Sequence, residues 1–207
     1  MSSPRYPIPA ERFRSEIEVK HSRFIATVET VESAEAALDF ISQLKHEFPD
    51  ATHNCWAYLI GPPGSTDRIG LSDDGEPHGV AGKPMLTTIQ HSGIGDIVVV
   101  VTRYFGGTKL GKGGMVKAYT QAVKTALDKL KTTEKIDWIA LTVEVGYPLL
   151  DPIERLLPEF EVELLEKQFA EQIVMKLKLP EEHLEQFSTR LTDLSSGQIE
   201  IKKSSSS

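Results

Sequence analysis

Residues Ile97 to Lys131 read IVVVVTRYFGGTKLGKGGMVKAYTQAVKTALDKLK. The uninterrupted run of β-branched residues at its start is the pattern of a strand buried on both faces, which predicts a strand over Gly95–Arg103. Five glycines and two lysines then fall between Phe105 and Met115. From Gly113 to Leu130, the residues Met115, Tyr119, Ala122, Val123, Ala126, Leu127 and Leu130 share one helical face, which predicts an amphipathic helix. A strand, a glycine-rich loop and a helix start point several backbone N–H groups and the positive end of a helix at one spot. Such a spot suits an anion.

The loop comes close to a nucleotide-hydrolase phosphate loop and departs from it at one decisive position, which argues against that chemistry. Gly106-Gly107-Thr108-Lys109-Leu110-Gly111-Lys112 has the G-x-x-x-x-G-K spacing, but Gly113 stands where such enzymes need Ser or Thr to hold Mg²⁺. Two uses of the glycines stay open: a tight turn that lets strand and helix pack closely, or a loop that holds a phosphate. On the second, Gly106, Gly107, Lys109, Gly111, Lys112 and Gly113 are the candidate anion contacts. Lys117, Lys124 and Lys131 are spaced by seven, so they form a stripe away from the apolar face. That stripe is either a solvated surface or, with Arg103, Lys109 and Lys112, one basic track. Tyr104 and Phe105 are then candidate stacking groups for a base, although Phe105 reads more naturally as core.

Charge supports a confined basic site. The chain of 207 residues has a net charge of −7. Residues 1–133 carry 15 Lys and Arg against 15 Asp and Glu, and the remainder carries 8 against 15. Within Thr102–Lys131 the balance reverses to seven basic residues and one acid, Asp128. Cys55 is the sole cysteine, so no disulfide can close within the chain and no cysteine-based zinc cluster can form. No apolar run approaches the roughly 20 residues of a membrane span. The N-terminal MSSPRYPIPAERF has no apolar stretch of a secretory signal. A cytoplasmic location is the expectation.

Outward from the central stretch, two layers of pattern emerge. Residues 1–12 are proline-rich and read as an irregular arm. Ser15–Val31 reads as two strands around Lys20-His21-Ser22. Ser33 is a helix N-cap for an apolar pattern ending at Pro49. His53–Ile60 is a strand, Asp67–Leu71 a short partner, Ser72–Gly82 a loop and Pro84–His91 a short helix. Beyond a break at Thr132-Thr133, the order is β-α-β-β-α-β. Its strands are Ile136–Val145, Phe160–Leu165, Ile173–Leu179 and Gln198–Ile201, and its helices Leu149–Leu157 and Pro180–Leu194. That order is ferredoxin-like. The expected class is therefore α+β in two domains, residues 1–133 and 134–203, with residues 204–207 a disordered tail. The acidic second domain is a candidate docking surface for a protein partner, through an exposed sheet edge.

A second candidate site is the loop SDDGEPHG, where Asp73, Asp74, Glu76 and His78 fall close together, with His53 upstream. Clustered acids and histidine suit metal or acid–base chemistry, and a small metal-dependent hydrolase is the enzyme such a loop would make. Asp-Asp-Gly and Pro-His-Gly are equally plain turn chemistry. No catalytic role, metal or cofactor is assigned from these residues. Cys55 lies in an aromatic strand and reads as a small buried hydrophobe.

Three stretches carry a resemblance: HNCWAY at 53–58, SDDGEPHGVAGKPML at 72–86 and VVVVTRYFGGTKLGKGGMVKAYTQAV at 98–123. They resemble the YigZ/IMPACT family, over most of residues 16–130, and the second half is similar to the C-terminal domain of its bacterial members. The resemblance implies a first domain with the β-α-β fold of the fourth domain of elongation factor G. It implies a second domain like that factor's ferredoxin-like fifth domain. It also implies a link to translation regulation, with RNA or the ribosome as partner. It carries over no catalytic residues.

Overall fold

A computed structural model describes residues 5–203, so residues 1–4 and the expected tail at 204–207 lie outside the described residues. In chain order the elements are β1 (Tyr6–Pro9), β2 (Phe13–Val19), β3 (Ser22–Thr30), α1 (Ala34–Glu47), β4 (His53–Leu59), β5 (Ile69–Ser72), α2 (Gly82–Gln90), β6 (Ile97–Tyr104) and α3 (Gly111–Leu127). They continue as β7 (Thr132–Lys135), β8 (Trp138–Val145), α4 (Leu150–Leu156), β9 (Glu163–Phe169), β10 (Ile173–Pro180), α5 (Leu184–Ser195) and β11 (Glu200–Lys203). The α+β class expected from the sequence holds, and the chain divides into two compact units, one of residues 6–135 and one of residues 136–203 with Arg5.

In the first unit, β6 is the middle of a five-stranded sheet ordered β2-β3-β6-β4-β5, with every neighbouring pair antiparallel. Ile97, Val99 and Val101 enter a core shared with α2 and α3, while Val98 and Val100 enter a core shared with α1. Both faces are covered, which is why the valine run shows no polar alternation. Each such side chain contributes about 1.5–3 kcal/mol through burial. On the outer layers, Ser33 Oγ accepts the Ala36 N–H at 3.1 Å and starts α1 as its N-cap.

Three expectations need correction here. Helix α3 begins and ends earlier than its apolar pattern implied, at Gly111 and Leu127, so Lys131 lies beyond it. The proline-rich arm contains a strand, β1, paired antiparallel with β7. Prolines donate no N–H and are tolerated in a strand that has only one partner, so the proline content hid it. The strand expected over Ile136–Val145 starts later, at Trp138, and Thr132-Thr133, the expected boundary, belong to a separate strand, β7.

Asp96 ties this corner together. Its buried carboxylate accepts from Tyr6 Oη at 2.7 Å, the Gly61 N–H at 2.7 Å and Lys135 Nζ at 2.9 Å. Burial alone would push its carboxyl up, but Lys135, the Gly61 N–H and Tyr6 together hold it below the usual carboxylate range. The unfolded chain, with an aspartate near pH 3.9, therefore binds the proton first as pH falls. The stabilisation from Asp96 is complete above about pH 4 and is lost as pH falls through the lower folded value. Urea midpoints measured from pH 7 to 2.5 should show this loss. Asp96→Asn should be less stable at pH 7 and flatter below pH 4; an unchanged acid slope would remove Asp96 from the account.

The second unit is a four-stranded antiparallel sheet ordered β11-β8-β10-β9. Leu141, Val143, Met175 and Leu177 from its strands share a core with Ile153 of α4 and Phe187 and Leu191 of α5. The β-α-β-β-α-β order is as expected. β9, however, starts at Glu163, because Phe160 is instead buried in a 3₁₀ turn that Glu161 closes with a φ of +53°. Among the described residues, no helix is long and apolar enough to cross a membrane.

Candidate functional site

Gly106 fixes where the glycine-rich loop sits. A Cβ placed on it would lie 2.0 Å from the His21 carbonyl carbon and 2.4 Å from the Ser22 nitrogen. Its N–H donates to Ser22 Oγ at 3.1 Å. The loop is thus laid against the β2–β3 turn, where Lys20 and His21 both have positive φ. Gly106 is consumed by packing and its N–H is not free for an anion, which corrects one of the expected contacts. Gly107 and Gly111 have φ of +82° and +71°, a region that only glycine enters at no steric cost. Gly113 does not.

From this loop α3 leaves with its first turn uncapped. No side chain bonds its leading N–H groups and no acid lies in that turn, so the N–H groups of residues 111–113 are left over by the helix. Lys109 and Lys112 beside it are exposed, as are Lys117 and Lys124 further along. Lys117 and Lys124, seven apart, share one face of α3, whereas Lys109 and Lys112 stand at its start, Lys112 being about 140° round the helix from Lys117. Lys131, outside the helix, faces Glu11 at 3.3 Å, so it is not the third member of the stripe.

Arg103 is the larger correction. It is buried, with Nη1 2.5 Å from Glu76 Oε1, and does not join the exposed track. Glu76 Oε1 also accepts from Tyr119 Oη at 2.9 Å, and Cys55 Sγ lies 3.2 Å from that hydroxyl. The result is a buried chain of Arg103, Glu76, Tyr119 and Cys55. Burial, foremost, pushes the Cys55 thiol up to about 12, so it stays protonated and inert as a nucleophile. Burial likewise pushes the Tyr119 hydroxyl upward, reinforced by its Cys55 and Glu76 neighbours.

The acidic loop is mostly structural. Asp73 accepts from the N–H groups of Gly79 at 2.7 Å, Ala81 at 3.0 Å and Gly82 at 2.9 Å, capping α2 from a distance. Although burial opposes it, those N–H groups hold its carboxyl below the usual range. Asp74 accepts from the Asn54 N–H at 2.7 Å and from Lys45 Nζ at 2.6 Å. His78 is fully exposed, 3.7 Å from Asp73. His53 Nδ1 is 2.9 Å from the Asp74 carbonyl, so that nitrogen carries the proton, and Nε2 is 3.8 Å from Glu76 Oε2. Asp73, Asp74, His78 and His53 therefore do not converge on one ion or proton-transfer centre.

Glu76 and His53 nevertheless bring the acidic loop to the glycine-rich loop. A pocket of about 380 Å³ is lined by His53, Glu76, Arg103, Phe105, Lys112 and Met115, among others. Phe105, expected in the core, is 49% exposed at its edge. Arg103 Nε is buried with no hydrogen-bond partner. Tyr104, the other stacking candidate, is engaged: its hydroxyl donates to Asp50 at 3.0 Å and the Arg23 guanidinium lies over its ring. The sequence signal that could have found the buried chain was Tyr119, a phenol on an otherwise apolar helix face, since a buried Tyr hydroxyl usually finds a partner.

Comparison with known proteins bears on these same segments. Residues 20–127 match the Impact N-terminal domain, and residues 143–198 match a domain of unknown function, DUF1949. The chain is similar to an IMPACT family member of Haemophilus influenzae, at 39% identity over 95% of this chain and 96% of that one. It is similar to IMPACT family member YigZ of Escherichia coli, at 39% identity over 94% of this chain and 95% of that one. A crystal structure of a hypothetical protein shares 37% identity with a TM-score of 0.68, over 98% of both chains.

Proposed function

This chain belongs to the IMPACT family, and from that premise we propose that it regulates translation in the cytoplasm by binding RNA, on the ribosome or free of it. The contact surface is the exposed face of α3 and the loop before it. One observation carries this reading: Lys109 and Lys112 are exposed at the start of α3, whose first turn has no cap, and Lys117 and Lys124 are exposed on one face further along it. The chain is otherwise acidic, with a net charge of −7. A basic strip on such a protein favours a confined phosphate contact over general attraction to polyanions. Lys117 and Lys124 are two turns apart, about 10 Å along the axis, so they reach successive phosphates more readily than a single one.

Phosphate contacts release counterions, so affinity should fall steeply with salt. The triple variant Lys112→Glu, Lys117→Glu, Lys124→Glu should weaken co-sedimentation with ribosomes or RNA at low salt by about a hundredfold. All three side chains are exposed, so the thermal midpoint should change little. Co-sedimentation that survives the three charge reversals would sink the proposal.

A further inference from the structure

We propose that the pocket between the glycine-rich loop and the acidic loop receives one nucleotide unit, its phosphate on the first turn of α3 and its base against Phe105. This rests on the RNA-binding reading and adds to it a defined subsite. Several observations meet there. The leading N–H groups of α3 are uncapped, with Lys112 in the same turn. An anion at that end is favoured by those N–H groups and by the helix dipole. Arg103, 5% exposed, lines the same pocket and leaves Nε buried without an acceptor. An unmade hydrogen bond of this kind is costly, and Glu76 engages only Nη1 at the oxygen facing it. A pocket built around a guanidinium with unused donor capacity is suited to an acceptor-rich ligand.

The rest of the lining selects the kind of ligand. Phe105, Leu110, Met115 and Pro77 are apolar walls, which a bare phosphate would leave unused. The pocket's volume, about 380 Å³, lies in the range that small ligands occupy. The Arg103 guanidinium is 5.7 Å from the Phe105 ring centroid, so the exposed ring is backed by positive charge and offers a flat surface to a π-system. A phosphate joined to a flat heterocycle satisfies both ends. The same chemistry belongs to a free nucleotide, so the source has to be distinguished by measurement.

The test uses the full chain with fluorescently labelled decaadenylate and, separately, AMP. Phe105→Ala removes an exposed ring and should leave the fold intact. It should weaken decaadenylate binding about tenfold, the scale of one lost base–aromatic stack. Phe105→Trp should stay within about twofold of the parent, because the stacking face is kept. Neither change should alter the slope of log affinity against log salt, whereas Lys112→Ala should reduce that slope by roughly one contact's worth. Phe105-dependent binding of decaadenylate without AMP assigns the subsite to a strand; Phe105-dependent binding of AMP with equal affinity assigns it to a free nucleotide. Binding of neither probe that depends on Phe105, or equal loss in Phe105→Ala and Phe105→Trp, overturns the subsite. The lysine reversals remain a separate test: if they abolish ribosome binding while Phe105→Ala changes nothing, RNA binding stands and the nucleotide pocket falls.

Discussion

Replacing Glu76 with alanine is expected to destabilise the first unit by about 3–5 kcal/mol, the scale for removing one partner of a buried ion pair. The pair is closed in: the side chains of Arg103 and Glu76 are 6% and 3% exposed. Without Glu76, Arg103 Nη1 loses its carboxylate while Nε already lacks a partner, and the Tyr119 hydroxyl loses its acceptor as well. A charge left alone in a dry interior costs far more than the pair contributes when intact. The double change Glu76→Ala with Arg103→Met should therefore recover much of the loss, because the orphaned charge goes with its partner. The chain has two units, so a single two-state transition is not assumed. Trp56 on β4 reports the first unit once Trp138 of β8 is changed to Phe, and its urea midpoint is the quantity to measure. A loss below about 1 kcal/mol would mean that water reaches Arg103 and the pair is not closed.

Gly106→Ala should cost about 3–4 kcal/mol, combining steric overpacking with loss of the Gly106 N–H bond to Ser22. The added methyl group would meet backbone, not flexible side chain: the His21 carbonyl oxygen at 2.1 Å and the Ser22 nitrogen at 2.4 Å. Relief requires the loop to lift off the β2–β3 turn, carrying the start of α3 with it. Neighbouring glycines make the comparison sharp. Gly107→Ala meets nothing within 4 Å and suffers only its positive φ of +82°, a penalty of about 1–2 kcal/mol. Gly113→Ala has open space and no positive φ, so it should be neutral or gain up to about 1 kcal/mol of helix stability. Thermal or urea midpoints for the three variants give the order directly. Equal effects at Gly106 and Gly107 would show that the close approach of the loop to the turn is not what fixes Gly106.

How much of the site was legible follows from which property each residue uses. The exposed lysines of α3 were readable because solvation and helical periodicity are local: seven residues bring a side chain back to nearly the same face. Asp73 and Asp74 read as chemistry because their charge is visible in the sequence, whereas the N–H groups they satisfy come from Gly79 in the loop, from the start of α2 and from β4. Arg103 sits one position before Tyr104 at the end of a buried strand, and its residue type suggested the surface. Only Glu76, from a loop 27 residues away in sequence, makes its burial tolerable. Phe105 was misplaced for the opposite reason, since an aromatic beside a valine run reads as core until the strand is seen to have ended at Tyr104.

The sequence by itself determined the α+β class, the β-α-β-β-α-β order of the second half and the buried strand at β6. Each follows from periodicity or turn chemistry, both of which act over a few positions of chain. Tertiary structure alone decided that β1 pairs with β7, that Gly106 serves packing, and that Arg103 is neutralised from within. It also decided that the acidic and glycine-rich loops share one pocket. Those outcomes depend on groups far apart in sequence approaching within hydrogen-bonding distance. Burial then turns a guanidinium from a surface contact into a paired interior charge, because the dry interior tolerates it only beside a carboxylate.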